Sequence, residues 1–290
     1  MKNFSPAFIA LICASCSLSS KSLSDPKLQL VAALVEYGPR IDGSASDEVW
    51  ANAQPLAVLS KDVLNKHDGR EVKVTLRAVC TRSNIYILAQ WDDETQDDTM
   101  HKPWVWDEAK KSYSEGHERE DMFSFGIEHK GLFTADMLSP VDASWDIWQW
   151  KAVRTNPQGF AMDRMHIYSK SKPEGKAKEH KARDGTSIWI SRPEDKGKTV
   201  EGKVPMPTEF KGKHIAQYIN NIPEGSAADV RAAGTWNNGK WTLEFVRALT
   251  TGNDDDVQLD LSKIYQIAIS THDRTGDMDR ASDAICLKFK

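Results

Sequence analysis

The segment Trp145-Asp-Ile-Trp-Gln-Trp-Lys-Ala-Val-Arg154 packs three of the chain's ten tryptophans into six residues. Side chains alternate across a strand, so Trp148, Trp150 and Ala152 share one face, and Ile147, Gln149 and Lys151 share the other. A strand this aromatic has to cover something large and flat. Three partners have that shape: a core layer, a sugar ring and a porphyrin.

The flanking sequence is strand-like as well. Glu71–Cys80 alternates cleanly, with Val72, Val74, Leu76 and Ala78 on one face, and Asn84–Trp91 follows after a short turn. Asp121–Ile127, Phe160–Tyr168, Ser187–Ile190, Tyr265–His272 and Asp283–Phe289 read as further strands. Asn238-Gly239 is the strongest short hairpin signal and joins Ala233–Trp236 to Trp241–Leu249. Ser44 and Asp47 mark the start of a short helix that buries Val49 and Trp50. About ten strands and no long amphipathic helix predict an all-β, antiparallel β-sandwich with short helices and long loop insertions. The Lys-, Glu- and Gly-rich run 169–185 and the Pro/Gly-punctuated run 191–213 are those insertions.

Residues 1–16 read as a secretory signal peptide: Lys2, then the apolar run Phe8–Ile12, then small residues. That run is too short to span a bilayer. Cys16 follows Cys13-Ala-Ser, a degenerate lipobox, so the expectation is an exported chain, anchored by lipid at Cys16 or free in the periplasm. Residues 17–37 read as a tether and 38–290 as one domain. An apolar fraction of 40% with 28% charged residues describes a globular chain rather than a disordered one. A net charge of −4 gives nucleic acid no electrostatic handle. Cys80 and Cys286 either pair or stay as buried thiols. No Cys-x-x-Cys-His occurs, which excludes covalent c-type haem attachment. No nucleophile–base order, phosphate loop or nucleotide fingerprint stands out. The acidic loop Asp92–Asp98 lacks the spacing of a 12-residue calcium loop and reads as a solvated turn.

Taken in order, several segments resemble one family, the haem-binding subunit domain of ethylbenzene dehydrogenase and related molybdenum enzymes. Its sandwich is similar to that of a family of carbohydrate-binding modules. The opening Ile41-Asp-Gly with Glu48-Val-Trp50 is common to both. The tryptophan strand, Gly234–Leu249 and Ile267-Ala-Ile-Ser-Thr-His-Asp-Arg274 favour the haem branch. The resemblance implies one non-covalent haem b held between the sheets by two axial side chains. One is a Met in the loop before the tryptophan strand, which here is Met137. The other is a Lys in the last hairpin, where this chain has none before Lys288. Arg280 lies nearby, but a guanidinium offers no lone pair. His272 is the available ligand, with His166 as its rival. Trp148 and Trp150 would wall the porphyrin, and Lys151 and Arg154 would neutralise its propionates.

Thioether plus imidazole raises a haem's potential relative to two imidazoles, and two protein ligands leave no open iron position. The expected function is therefore electron transfer to or from a redox partner, a molybdenum oxidoreductase or a c-type cytochrome, without catalysis by the chain itself. The alternative is a haem-free carbohydrate-binding module in which Trp104, Trp106 or the 145–150 cluster stacks on sugars.

Overall fold

The computed structural model describes residues 28–65, 69–275 and 280–290. The strands in chain order are β1 (Gln29–Leu34), β2 (Leu56–Ser60), β3 (Val72–Cys80), β4 (Asn84–Asp92), β5 (Trp104–Asp107), β6 (Ser112–Glu115) and β7 (Met122–Gly131). Then come β8 (Ala143–Lys151), β9 (Met162–Ser169), β10 (Lys178–Lys181), β11 (Ser187–Ser191), β12 (Gly197–Lys198), β13 (Glu201–Lys203) and β14 (His214–Ile215). The chain closes with β15 (Tyr218–Asn220), β16 (Glu224–Gly225), β17 (Arg231–Trp236), β18 (Lys240–Ala248), β19 (Tyr265–His272), β20 (Arg280–Ala281) and β21 (Ile285–Phe289). The main sheet runs β10-β11-β9-β8-β7-β19-β21-β1-β3-β4-β18-β17. Its pairs are antiparallel except that β1 lies parallel to both β21 and β3.

The path folds back on itself, so that β7, β8 and β19 face β3, β4 and β18. Large apolar rings from both halves meet there. Trp91 stacks on Phe123 at 5.2 Å between centroids, Trp150 meets Trp241 at 4.9 Å, and Trp148 lies 6.2 Å from Phe245. Burying each ring contributes roughly 1.5–3 kcal/mol, and the all-β sandwich read from the alternation follows from this layer. The Asn238-Gly239 turn has positive φ at both residues, 51° and 79°, as a two-residue hairpin requires. The Ile41-Asp-Gly opening is tied down by buried Glu244 of β18, which accepts from Gly43 N at 2.8 Å and from Trp50 Nε1 at 2.8 Å. Trp50 sits in a 3-10 helix, Glu48–Asn52, with Asp47 rather than Ser44 at the N-cap position and no side-chain capping bond.

Two expectations change. The tether expected over 17–37 ends by residue 28, because β1 is a central strand of the sheet; its alternation over six residues, Gln29 to Leu34, is short and easily read as linker. The 169–185 run is not a free insertion, because β10 pairs with β11 at the sheet edge. Cys80 and Cys286 are buried free thiols on strands separated by β1. The signal peptide, Cys16 and residues 17–27 lie outside the described residues, and none of the helices described is long and apolar enough to cross a membrane.

Candidate functional site

Strand register decides where the site is. On the outer face of the β9-β8-β7-β19 half, Ala268 pairs with Gly126, and Ser270 with Ser124. These four small residues leave a trough in the sheet surface. The bareness of Gly126 matters, since a Cβ there would stand 2.8 Å from Ile147 Cδ1. Longer side chains wall the trough: Trp145, Ile147, Gln149 and Lys151 from β8, Arg164, His166 and Tyr168 from β9, and Met122 and His272 at one end. The loop between β7 and β8 covers it with Ala135, Met137 and Leu138. The result is a cavity of about 590 Å³.

The covering loop is anchored. Phe133 lies 4.9 Å from Trp145, ring to ring. Asp136 accepts from Leu138 N at 3.0 Å and pairs with Arg183 at 2.7 Å. Arg183 N in turn donates to the Leu138 carbonyl at 2.9 Å. Met137 is thereby held against an apolar cluster with Trp145, Ile147 and Tyr168.

Met137, His272 and His166 all line this one cavity. His272 is buried, with Nε2 3.0 Å from Ser270 Oγ. His166 places Nδ1 3.5 Å from Tyr168 Oη, while its buried Nε2 has no hydrogen-bond partner among the described residues. Burial holds the His166 imidazole well below its usual pKa, aided by Arg192, Arg164 and His272. It is therefore neutral and keeps a lone pair. Arg280 is buried and donates to the Arg70 carbonyl, away from any ligand role.

Trp148 and Trp150 do not join them. Alternation was read correctly, but the face carrying these two rings turns into the core, where both are fully buried, and the cavity belongs to the opposite face with Trp145. The space between the two halves, expected to hold a porphyrin, is filled by that aromatic layer. Trp150 is further locked by Asn156, whose Oδ1 accepts from Trp150 Nε1 at 2.9 Å and from Gly234 N at 2.8 Å. Trp104 and Trp106 sit in the β5–β6 hairpin, where Trp104 Nε1 donates to the Val204 carbonyl and Trp106 packs on Tyr113 and Phe210.

Lys151 and Arg154 do reach the cavity, but each has protein partners. Lys151 Nζ pairs with Glu201 at 2.8 Å, and Arg154 pairs with Glu201 at 3.3 Å and with fully buried Glu120. Burial brings the Lys151 pKa down to about 7, with Arg154 adding to the effect and Glu201 opposing it. Three basic residues that the sequence reading missed also line the wall and mouth: Arg164, Arg192 and Lys178. Cations therefore outnumber the two acids, Glu194 and Glu201, in a chain of net negative charge.

Asp121 secures the turn after His272. It accepts from Arg274 N at 3.3 Å, Trp241 Nε1 at 3.1 Å and Asp97 N at 3.1 Å. Burial, then the nearby Asp93 charge, push its pKa up to about 8 from an ordinary 3.8. A pKa raised in the folded state means that the protonated form stabilises the fold. That contribution is complete below pH 4 and is lost as the pH rises through 8. The thermal midpoint should therefore fall between about pH 5 and 8.5, and Asp121→Asn should reduce the fall. Equal slopes for both proteins in differential scanning calorimetry would remove Asp121 from the account.

The profile of the ethylbenzene dehydrogenase family matches residues 47–282. The chain belongs to that family. The match takes in the covering loop, the tryptophan strand and His272, and so spans every wall of the cavity. No curated protein matches the chain in sequence. Solved structures similar to this ethylbenzene dehydrogenase family member include a family 9 carbohydrate-binding module from Caldicellulosiruptor kristjanssonii in complex with glucose, at 8% identity and a TM-score of 0.37, covering 90% of this chain and 95% of that one. A protein from Bacteroides uniformis assigned to carbohydrate binding is 10% identical with a TM-score of 0.41, covering 91% and 99%.

Proposed function

We propose that the chain is an electron-transfer domain holding one non-covalent haem b in this cavity, with Met137 and His272 as axial ligands. It works outside the cytoplasm, where it exchanges electrons with a redox partner protein, a molybdenum oxidoreductase or a c-type cytochrome. The observation that carries this reading is that a thioether from the covering loop and imidazoles from β9 and β19 line one cavity whose walls are part aromatic and aliphatic, part basic. The donor set suits the group: one soft sulfur, buried nitrogen, aromatic and aliphatic walls, and a basic mouth for two carboxylates. A haem bound by two side chains would supply one-electron chemistry and leave no iron position for oxygen.

The chain's own residues do the rest. Trp145, Ile147, Met137 and Leu138 exclude water. Arg192 and Lys178 at the mouth, with Arg164 beside them, offer charge to anionic groups. Glu201 keeps Lys151 and Arg154 fixed as part of the wall. Lys151 and Arg154 would therefore attract a bound carboxylate less than the mouth cations, since Glu201 and Glu120 already balance them.

The test is a visible spectrum of the mature chain reconstituted with haem. A sharp Soret band with resolved low-spin α and β bands on reduction is expected. A colourless protein after reconstitution would sink the proposal, and glycan binding by that colourless protein would favour the carbohydrate-binding reading.

A further inference from the structure

The alternation that points Trp148 into the core also points Asp146 inward from β8 and, through the pair Trp148–Asp163, Asp163 inward from β9. Asp256 joins them from the loop after β18, and Asp195 from the segment after β11. All four are buried, at 1%, 2%, 3% and 5% exposure in the order Asp146, Asp163, Asp256, Asp195. Arg247 supplies the neighbouring positive charge. Its guanidinium bonds Asp146 Oδ2 and Asp256 Oδ1, and donates to the Val257 carbonyl.

Those bonds use only one side of the cluster. Asp146 Oδ1, both oxygens of Asp163, Asp195 Oδ2 and Asp256 Oδ2 remain buried with no hydrogen-bond partner among the described residues. One oxygen each from Asp146, Asp163 and Asp256 lies within 4.8 Å of the others. Asp195 lies outside that trio, yet its carboxyl adjoins that of Asp163 and its unpartnered oxygen adds a fourth side chain. An unpaired carboxylate in a dry interior is prohibitively costly, so the cluster has to take up protons or a cation.

We propose that Asp146, Asp163, Asp195 and Asp256 form a divalent-cation site, and that Ca²⁺ is the ion it suits. Calcium accepts six to eight oxygens at 2.3–2.6 Å in irregular geometry, so ligands on opposite sides of it stand roughly 5 Å apart. Magnesium demands near-ideal octahedral geometry and gives up its waters reluctantly, which an all-carboxylate buried cluster does not accommodate. A divalent ion leaves the four carboxylates and Arg247 with a single net negative charge. Without it, burial first and then the neighbouring carboxylates, Asp255 among them, push Asp195 and Asp256 well above the ordinary carboxylate range.

The site also bears on the cavity. Arg192, Glu194 and Asp195 share one short segment, and Arg164 of β9, next to Asp163, pairs with Glu194 at 3.7 Å. An ion held on the inner face by Asp163 and Asp195 would thus fix the cavity wall on the outer face, whatever the cavity holds.

The experiment uses the purified mature chain without haem, stripped with EGTA and titrated with CaCl₂ alone. The midpoint should rise by about 5 °C at a hundredfold excess over Kd, and Tb³⁺ should luminesce on tryptophan excitation, Trp148 standing beside Arg247 of the cluster. Asp163→Asn should abolish both signals, and Asp195→Asn should weaken binding at least tenfold. Both effects should persist in an Asp93→Asn background, which alters the separate group of Asp93, Asp121 and Asp273. Should Asp163→Asn fail to fold, calorimetry on the unaltered chain and on Asp195→Asn decides. Absence of binding at millimolar Ca²⁺ overturns the proposal in favour of shared protons, and so does Ca²⁺ binding that Asp195→Asn leaves unchanged.

Discussion

Replacing Arg247 by leucine is expected to lower the thermal midpoint by about 10 °C, the effect of losing roughly 3–5 kcal/mol when one partner of a buried ion pair is removed. Arg247 is 1% exposed, so neither water nor salt screens its interactions. It holds Asp146 of β8 to Asp256 and Val257 of the loop beyond β18, and its guanidinium lies 5.0 Å from the Trp148 ring centroid. Leucine keeps apolar contact with that ring but leaves two carboxylates without a counter-charge. The buried carboxylates, rather than lost packing, should therefore dominate the loss. Two results separate these causes in urea unfolding with a chelator present. Arg247→Leu combined with Asp146→Asn should recover at least about 1 kcal/mol relative to additivity, since contacting residues couple by 0.5–3 kcal/mol. A loss under about 1 kcal/mol for Arg247→Leu alone would mean that the cluster is already neutralised without it.

Much of the sandwich was legible because its strands alternate over seven or more residues and its tightest hairpin carries Asn-Gly. β1 was not, because a short apolar strand next to a polar leader has no period to distinguish it from a linker. The cavity was half legible. Met137 and His272 came from a family resemblance, and both line the cavity. Periodicity alone sorted Trp148 and Trp150 onto one face, yet could not say that this face was the inner one. The signal for the outer face was present but quiet: Gly126, Ser124, Ala268 and Ser270 are the small residues at alternate positions of two strands. Only the register that brings Ala268 beside Gly126 turns four small residues into a trough. Arg164, Arg192 and Lys178 were missed for a related reason. They come from strands and loops distant in sequence, and nothing local marks them as neighbours. The Asp146–Asp163–Asp195–Asp256 cluster escaped notice because its members are scattered over more than a hundred positions.

Alanine at His272 is expected to abolish the low-spin spectrum of the haem-loaded chain, and alanine at Met137 to abolish it or shift the potential downward. Both histidines line the cavity, which makes the comparison with His166 decisive. A metal-binding imidazole uses one nitrogen for the metal and the other to hold its orientation. In His272, Ser270 engages Nε2 and fixes the ring's orientation. In His166, Tyr168 engages Nδ1 and Nε2 is left unpartnered. Position separates them. His272 follows directly on the small residues Ala268 and Ser270 of the floor, while His166 pairs with Trp145 on the side wall. His272, at the end of the strand that supplies the floor, would be the nitrogen paired with Met137 of the covering loop. His166→Ala should accordingly keep resolved α and β bands, and should weaken haem retention by no more than a wall contact would. Paired redox titrations give a second readout, because exchanging thioether–imidazole for two imidazoles lowers the potential. If His166→Ala bleaches the low-spin bands while His272→Ala preserves them, the axial nitrogen belongs to β9. If Met137→Ala leaves both spectrum and potential unchanged, the covering loop shields the site without binding iron, and His166 and His272 together become the axial pair to test.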